Sequence, residues 1–177
     1  MKILPQIIGG KMKKSSFFLV IATFFIFTSI AHAAGFRDLS WGENLSDMKG
    51  MKHIGTDTGY GGGIELYVRP MDALEMGEAK IDMIIYKFWN NKLFGVSIVV
   101  TDFADYTALK DATQEKYGEG LKYNPFTENY MWFGPPTRMH LEYNETAGKG
   151  RLALYSSDLV KEAESFNEKK GGATLGI

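Results

Sequence analysis

The alternation of apolar and polar positions is strongest between residues 81 and 101. "IDMIIYKFW" and "KLFGVSIVVT" are two β-rich runs separated by Asn90-Asn91. Asparagine tolerates positive φ, so this pair predicts a two-residue type I′ hairpin. Counting outward from the turn sets Trp89 opposite Lys92, Lys87 opposite Phe94, Ile85 opposite Val96, Met83 opposite Ile98 and Ile81 opposite Val100. That face is almost wholly apolar and is expected to be the core. The other face carries Ile84, Tyr86 and Phe88, with Tyr86 laid over Gly95. Left without a helix to cover it, this second face is an apolar patch that requires a ligand or partner.

The pattern then changes period. Phe103, Tyr106, Leu109, Thr113 and Tyr117 recur at helical spacing, with Thr101-Asp102 to cap the start and Gly118 to end it. "TRMHLEY" alternates Met139, Leu141 and Tyr143 against Arg138, His140 and Glu142, and "RLALYSS" returns with Leu152 and Leu154 inward. Ser157-Asp158 caps a last helix with the stripe Leu159, Ala163 and Phe166. Earlier in the chain, Leu45, Met48 and Met51 predict a short amphipathic helix capped by Asn44 or Ser46. "GTDTGYGGG" (55–63) reads as a glycine loop, "IELYVRP" (64–70) as a strand stopped by Pro70, and "MDALEMGE" (71–78) as a connection. "LKYNPFTENYMWFGPP" (121–136) reads as loop and strand bounded by prolines.

A displacement of 56 residues lays Val96 on Leu152, Ile98 on Leu154 and Thr101-Asp102 on Ser157-Asp158. Two meander-plus-helix repeats give this match, and so does the chance likeness of two hairpins each followed by a capped helix. Both readings predict the same class: α+β, an antiparallel sheet of five to six strands with two main helices on one face.

The N-terminal segment has a different character. Met12-Lys13-Lys14 is basic, Phe17 to Ile30 is apolar, and Ala31-His32-Ala33 fits a small-x-small cleavage site. That order is a secretory signal peptide, and the apolar run is short of the roughly 20 residues that span a bilayer. Cleavage near Ala33 is expected, with the product periplasmic or secreted and held to a membrane only through an uncleaved signal segment. Residues 1–33 then form an N-terminal extension and signal peptide, 34–170 one α+β domain and 171–177 a loose tail. Either Met1 or Met12 serves as the start. Removing residues 1–33 takes four of the 20 basic residues and none of the 21 acidic ones, leaving a net acidic chain at −5. Such a chain with no basic stripe is repelled by phosphate backbones, so nucleic acid is not an expected partner. Zero cysteines exclude a disulfide framework, a thiolate metal site and a lipidated N-terminal cysteine.

Little of the sequence has the pattern of chemistry. "GYGGG" is followed by a strand, whereas a phosphate cradle needs a helix N-terminus there. "DTG" (57–59) lacks the apolar strand that precedes an aspartic-protease triad, and no second copy exists in the chain. No Ser lies in a G-x-S-x-G turn. Two histidines follow the signal segment, His53 and His140. His140 shares a strand face with Glu142 and could offer a metal two ligands, the basis of an alternative reading as a small metal-dependent hydrolase. No cofactor is implied. The aromatics point instead to binding: Trp89 at the hairpin tip, Tyr60 among glycines, the Tyr86 and Phe88 face, and Phe126, Tyr130 and Trp132 around a Pro-rich stretch. The binding candidates are Trp89, Tyr86, Phe88 and Tyr130.

The opening "FRDLSWG", followed by "YVRP", "KFWNNKLFGVSI", "LKDATQEKYG", "MWFG" and "LEYN", resembles a group of small exported bacterial proteins of unassigned function. The resemblance covers nearly the whole chain after the signal segment. It implies export but carries over no functional residues. A weaker likeness to small envelope-assembly lipoproteins fails at their lipidated cysteine, which this chain lacks. The sequence thus predicts a non-catalytic exported binding or structural protein, its partner an envelope protein, peptide or glycan.

Overall fold

Asn90 and Asn91 both take positive φ, 49° and 62°, and fold the chain back on itself as their side chains allow. The computed structural model of the chain describes residues 35–58 and 63–169. The signal-like segment, Tyr60 and the 171–177 tail lie outside the described residues. Two short strands, β1 (Gly35–Phe36) and β2 (Leu39–Ser40), open the fold. The helix expected from Leu45, Met48 and Met51 is only a 3-10 turn, Leu45–Asp47, and neither Asn44 nor Ser46 supplies a side-chain cap. Next come β3 (Lys52–Asp57), β4 (Ile64–Val68), and a small hairpin of β5 (Glu75–Met76) and β6 (Ala79–Lys80). The central hairpin is β7 (Met83–Trp89) and β8 (Lys92–Val100), followed by α1 (Phe103–Tyr117). The chain continues through β9 (Asn129–Trp132), β10 (Thr137–Asn144), β11 (Lys149–Ser156) and α2 (Ser157–Lys169).

The class is α+β, and the main sheet is antiparallel with seven strands in the order β3-β4-β7-β8-β11-β10-β9. The expectation of five to six strands falls short because β3 includes residues 55–57, expected as glycine loop. This edge strand lacks apolar alternation and is exposed along most of its length.

The central hairpin departs from simple counting after two pairs. Trp89 faces Lys92 and Phe88 faces Leu93, but Lys87 then faces Gly95 and Tyr86 faces Val96. Phe94 is the extra residue of a β-bulge, and beyond it every side chain of β8 changes face relative to β7. Ile84, Tyr86 and Phe88 therefore join Leu93, Val96, Ile98 and Val100 in one buried cluster. Simple counting sets Val96, Ile98 and Val100 on the face opposite Ile84, Tyr86, Phe88 and Leu93; the bulge unites them and leaves Phe94 on the other side with Trp89. Gly95 is covered by an aromatic, as expected, but by Tyr155 of β11 instead of Tyr86. A Cβ at Gly95 would stand 2.6 Å from the Tyr155 ring and 2.8 Å from the Leu154 carbonyl oxygen.

The two helices lie on opposite faces of the sheet, correcting the expectation of one shared face. Alternation along β11 makes this plain. Leu152 and Leu154 pack with Tyr106 and Leu109 of α1, while Ala153 and Tyr155 pack with Leu159, Val160 and Ala163 of α2. Thr101-Asp102 separates β8 from α1, whereas α2 starts directly after Ser156. The Asp102 carboxylate caps α1 by accepting from the Asp105 amide at 2.7 Å. At α2 the hydroxyl that accepts is Ser156, from the Leu159 amide at 3.3 Å, one residue before the expected cap. The two runs related by the 56-residue offset are neighbours in the sheet, where β8 and β11 pair antiparallel with Ser97 facing Ala153 and Ile98 facing Leu152. The two hairpins differ, β7–β8 being bulged and β10–β11 regular, and the helices that follow them diverge, so two repeats are not confirmed. No helix among the described residues is long and apolar enough to cross a membrane.

Candidate functional site: an aromatic segment pinned on Glu128

Three of the four aromatic candidates are core residues. Tyr86, Phe88 and Trp89 are all buried, the first completely. The apolar face expected to lie open is the face that the bulge turns beneath α1. The Tyr86 hydroxyl donates to Asp72 Oδ2 at 2.5 Å. Asp72 has a buried side chain and also accepts from Arg69 Nε at 2.6 Å, with Arg37 at 3.8 Å. Arg69 in turn holds both oxygens of Asp38, at 3.0 and 2.9 Å. Burial pushes the Tyr86 hydroxyl well above its ordinary pKa, and the Asp72 carboxylate adds to the effect. Trp89 packs edge-on against Phe166, ring centres 5.8 Å apart.

His140 and Glu142 share a face of β10, as alternation requires. Glu142 is taken up by Arg151, whose Nε and terminal nitrogen reach one carboxylate oxygen at 2.9 and 2.6 Å. His140 Nε2 lies 3.0 Å from Asn129 Oδ1 and 3.7 Å from Glu142. Among the described residues no third His, Cys, Asp or Glu joins them to make a metal-ligand group. His53 pairs with Glu65 at 2.6 Å, away from this face on β3. Burial lowers the pKa of His140; Glu142 opposes the shift and Arg151 adds to it. The sign follows: between the lowered native value and the ordinary ~6.5, the unfolded chain holds more proton, so stability falls as pH drops through that interval. An NMR titration of the His140 ring is expected to show a midpoint below that of free histidine. A midpoint at or above the free value would contradict the burial.

The two most exposed aromatics, Phe126 and Tyr123, lie between α1 and β9. Gly118, at φ 78°, ends the helix, and its carbonyl accepts from the Trp132 indole at 2.8 Å. Gly120 passes so close to that indole that a Cβ would stand 2.7 Å from it. Leu121 and Met131 exchange backbone hydrogen bonds at 2.8 and 3.0 Å. Asn124 Oδ1 then accepts from the Phe126 amide at 2.9 Å, an Asx turn around Pro125. The segment is thus fixed by its own backbone. It is also tied to the helix through Glu128, which is reached by Lys122 at 3.1 Å, Tyr130 hydroxyl at 3.2 Å, Lys110 at 3.3 Å and Tyr106 hydroxyl at 3.4 Å. Lys122 and Lys110 also stand over the Tyr130 ring, at 5.0 and 5.8 Å from its centre. Burial raises the Glu128 pKa, but the two lysines outweigh it and the net value is lowered. Burial raises that of Tyr106, and Glu128 raises it further.

On this pinned segment Phe126 is 92 % exposed and Tyr123 69 %, with Leu121 and Phe133 more than half exposed. Tyr130, the remaining candidate from the sequence, is half-buried at the base of the segment. Sequence reasoning noticed the crowding of Phe126, Tyr130 and Trp132 but missed Tyr106, Lys110, Lys122 and Glu128. These four are spread over 23 residues of helix and loop, and only the Asn-Pro turn signals that the segment folds back. The cluster has neither a nucleophile paired with a base nor a free acid–base pair; its chemistry is that of a fixed display. Comparison with known proteins finds no match among family models, curated proteins or solved structures.

Proposed function

We propose that this chain is a non-catalytic exported binding protein whose contact surface is the aromatic segment 121–133. One observation carries the reading: Phe126 and Tyr123 are held in solvent on a segment that Glu128, the Asn124 turn and the Leu121–Met131 bridge keep in place. Burying one such side chain contributes about 1.5–3 kcal/mol, and a pre-fixed segment gives up little conformational entropy on binding. Exposed aromatics of this kind suit a protein or peptide partner in the cell envelope, with a stacked glycan as the alternative ligand. Export rests on the basic, apolar and small-residue order of 12–33, and on the resemblance to small exported bacterial proteins.

The double variant Phe126→Ala/Tyr123→Ala tests the surface. Both side chains lie outside the core, so its denaturation midpoint is expected to match that of the parent. Capture of a partner from envelope extract is expected to fall at least tenfold. Undiminished capture by the folded variant would remove this segment as the contact surface.

A further inference from the structure

A second feature lies between α1 and the sheet, independent of the aromatic segment. Phe36 of β1, Met76 of β5, Thr113 of α1, and Leu152 and Leu154 of β11 surround a cavity of about 180 Å³. Phe36, Thr113, Leu152 and Leu154 are buried. The Thr113 hydroxyl donates to the Leu109 carbonyl at 2.7 Å, so this wall offers a ligand no free polar group. A cavity of roughly 150 Å³ with apolar walls stays dry and takes up a benzene-sized molecule. Lys116 also lines the cavity, an exposed residue whose ammonium lies 5.0 Å from the Tyr117 ring centre. Among the described residues it has no carboxylate partner. Arg37 lines the same cavity, but its guanidinium is engaged by the Ala73 and Glu75 carbonyls and by Asp72.

We propose that this cavity binds a small monocarboxylate, its apolar body of roughly six to eight non-hydrogen atoms inside and its carboxylate on Lys116. Size and apolar walls select the body; the unpaired ammonium selects the anion. A free aliphatic or aromatic acid has this chemistry, and so does the C-terminal residue of a peptide ending in a large apolar side chain.

Titration of the folded protein with octanoate, octanol and a short peptide ending in phenylalanine, followed by amide NMR shifts, tests the assignment. Octanoate is expected to shift Thr113, Lys116 and Leu152 and to bind more tightly than octanol. Lys116→Gln is expected to weaken octanoate about fivefold and leave octanol unchanged. Thr113→Met, which enlarges a side chain on the cavity wall, is expected to abolish both; because that change can disturb folding, the exposed Lys116 variant decides the matter. Tighter binding of the peptide than of octanoate assigns the source to peptide termini, and the reverse assigns it to free acids. The proposal is overturned if millimolar octanoate leaves these resonances in place, or if octanoate and octanol bind alike and Lys116→Gln changes neither.

Discussion

Tyr86→Ala is expected to lower the free energy of unfolding by about 3–5 kcal/mol, as removal of a large buried aromatic side chain does. The ring is completely buried, packs edge-on to Phe36 with centres 6.2 Å apart, and lies in the cluster that α1 covers. Deleting it leaves a cavity lined by β7, β8 and the N-terminal hairpin, and it also removes the hydroxyl that Asp72 accepts from. Tyr86→Phe keeps the ring and is expected to cost less, about 1.5–3 kcal/mol, the range for one hydrogen bond to a charged acceptor. Urea denaturation of the two variants separates packing from hydrogen bonding. A Tyr86→Ala protein as stable as the parent would mean that this face is not the core.

The second large effect is expected at Asp72. Its side chain is buried and accepts from Arg69 and Tyr86, with Arg37 nearby. Removing the carboxylate with Asp72→Ala leaves cationic groups and a tyrosine hydroxyl without their common acceptor, a change that costs about 3–5 kcal/mol when a buried pair is broken. Arg69 keeps Asp38, which moves the expectation toward the lower end. Since Asp72 and Tyr86 share one hydrogen bond, Asp72→Ala combined with Tyr86→Phe is expected to cost less than the sum of the two. Strict additivity in denaturant midpoints would show that the contact contributes nothing.

Much of the fold was legible because it depends on local rules. The paired asparagines turn a hairpin wherever two strand-forming runs flank them. Asp102 and Gly118 delimit α1 through backbone groups within a few residues. Alternation in 137–143 and 151–157 puts Met139, Leu141, Leu152 and Leu154 on the α1 side. The Phe94 bulge was not legible, because it follows from matching β7 against β8 and from Tyr155 closing over Gly95, a contact 60 residues away. That single residue inverted the faces and moved Tyr86 and Phe88 from expected surface to core. Strand β3 was missed because an edge strand exposed along most of its length carries no period to read.

The site was legible in part for the same reason. Crowded aromatics beside Pro125, Pro135 and Pro136 signalled a surface, but which of them face solvent depends on Glu128. That carboxylate gathers Lys110, Lys122, Tyr106 and Tyr130 only after α1 and β9 have docked on the sheet. His140 and Glu142 were placed correctly on one strand face; what the sequence did not show is Arg151, the cross-strand neighbour that pairs with Glu142.

Hydroxyl-radical footprinting read residue by residue in a mass spectrometer tests the division between core and displayed aromatics most directly. Phe126, Tyr123 and Phe133 are expected to oxidise rapidly in the native protein, while Tyr86, Phe88 and Trp89 react only after denaturation. Rapid native oxidation of Tyr86 and Phe88, with Phe126 and Tyr123 protected, would contradict both the bulged register and the surface assigned to residues 121–133.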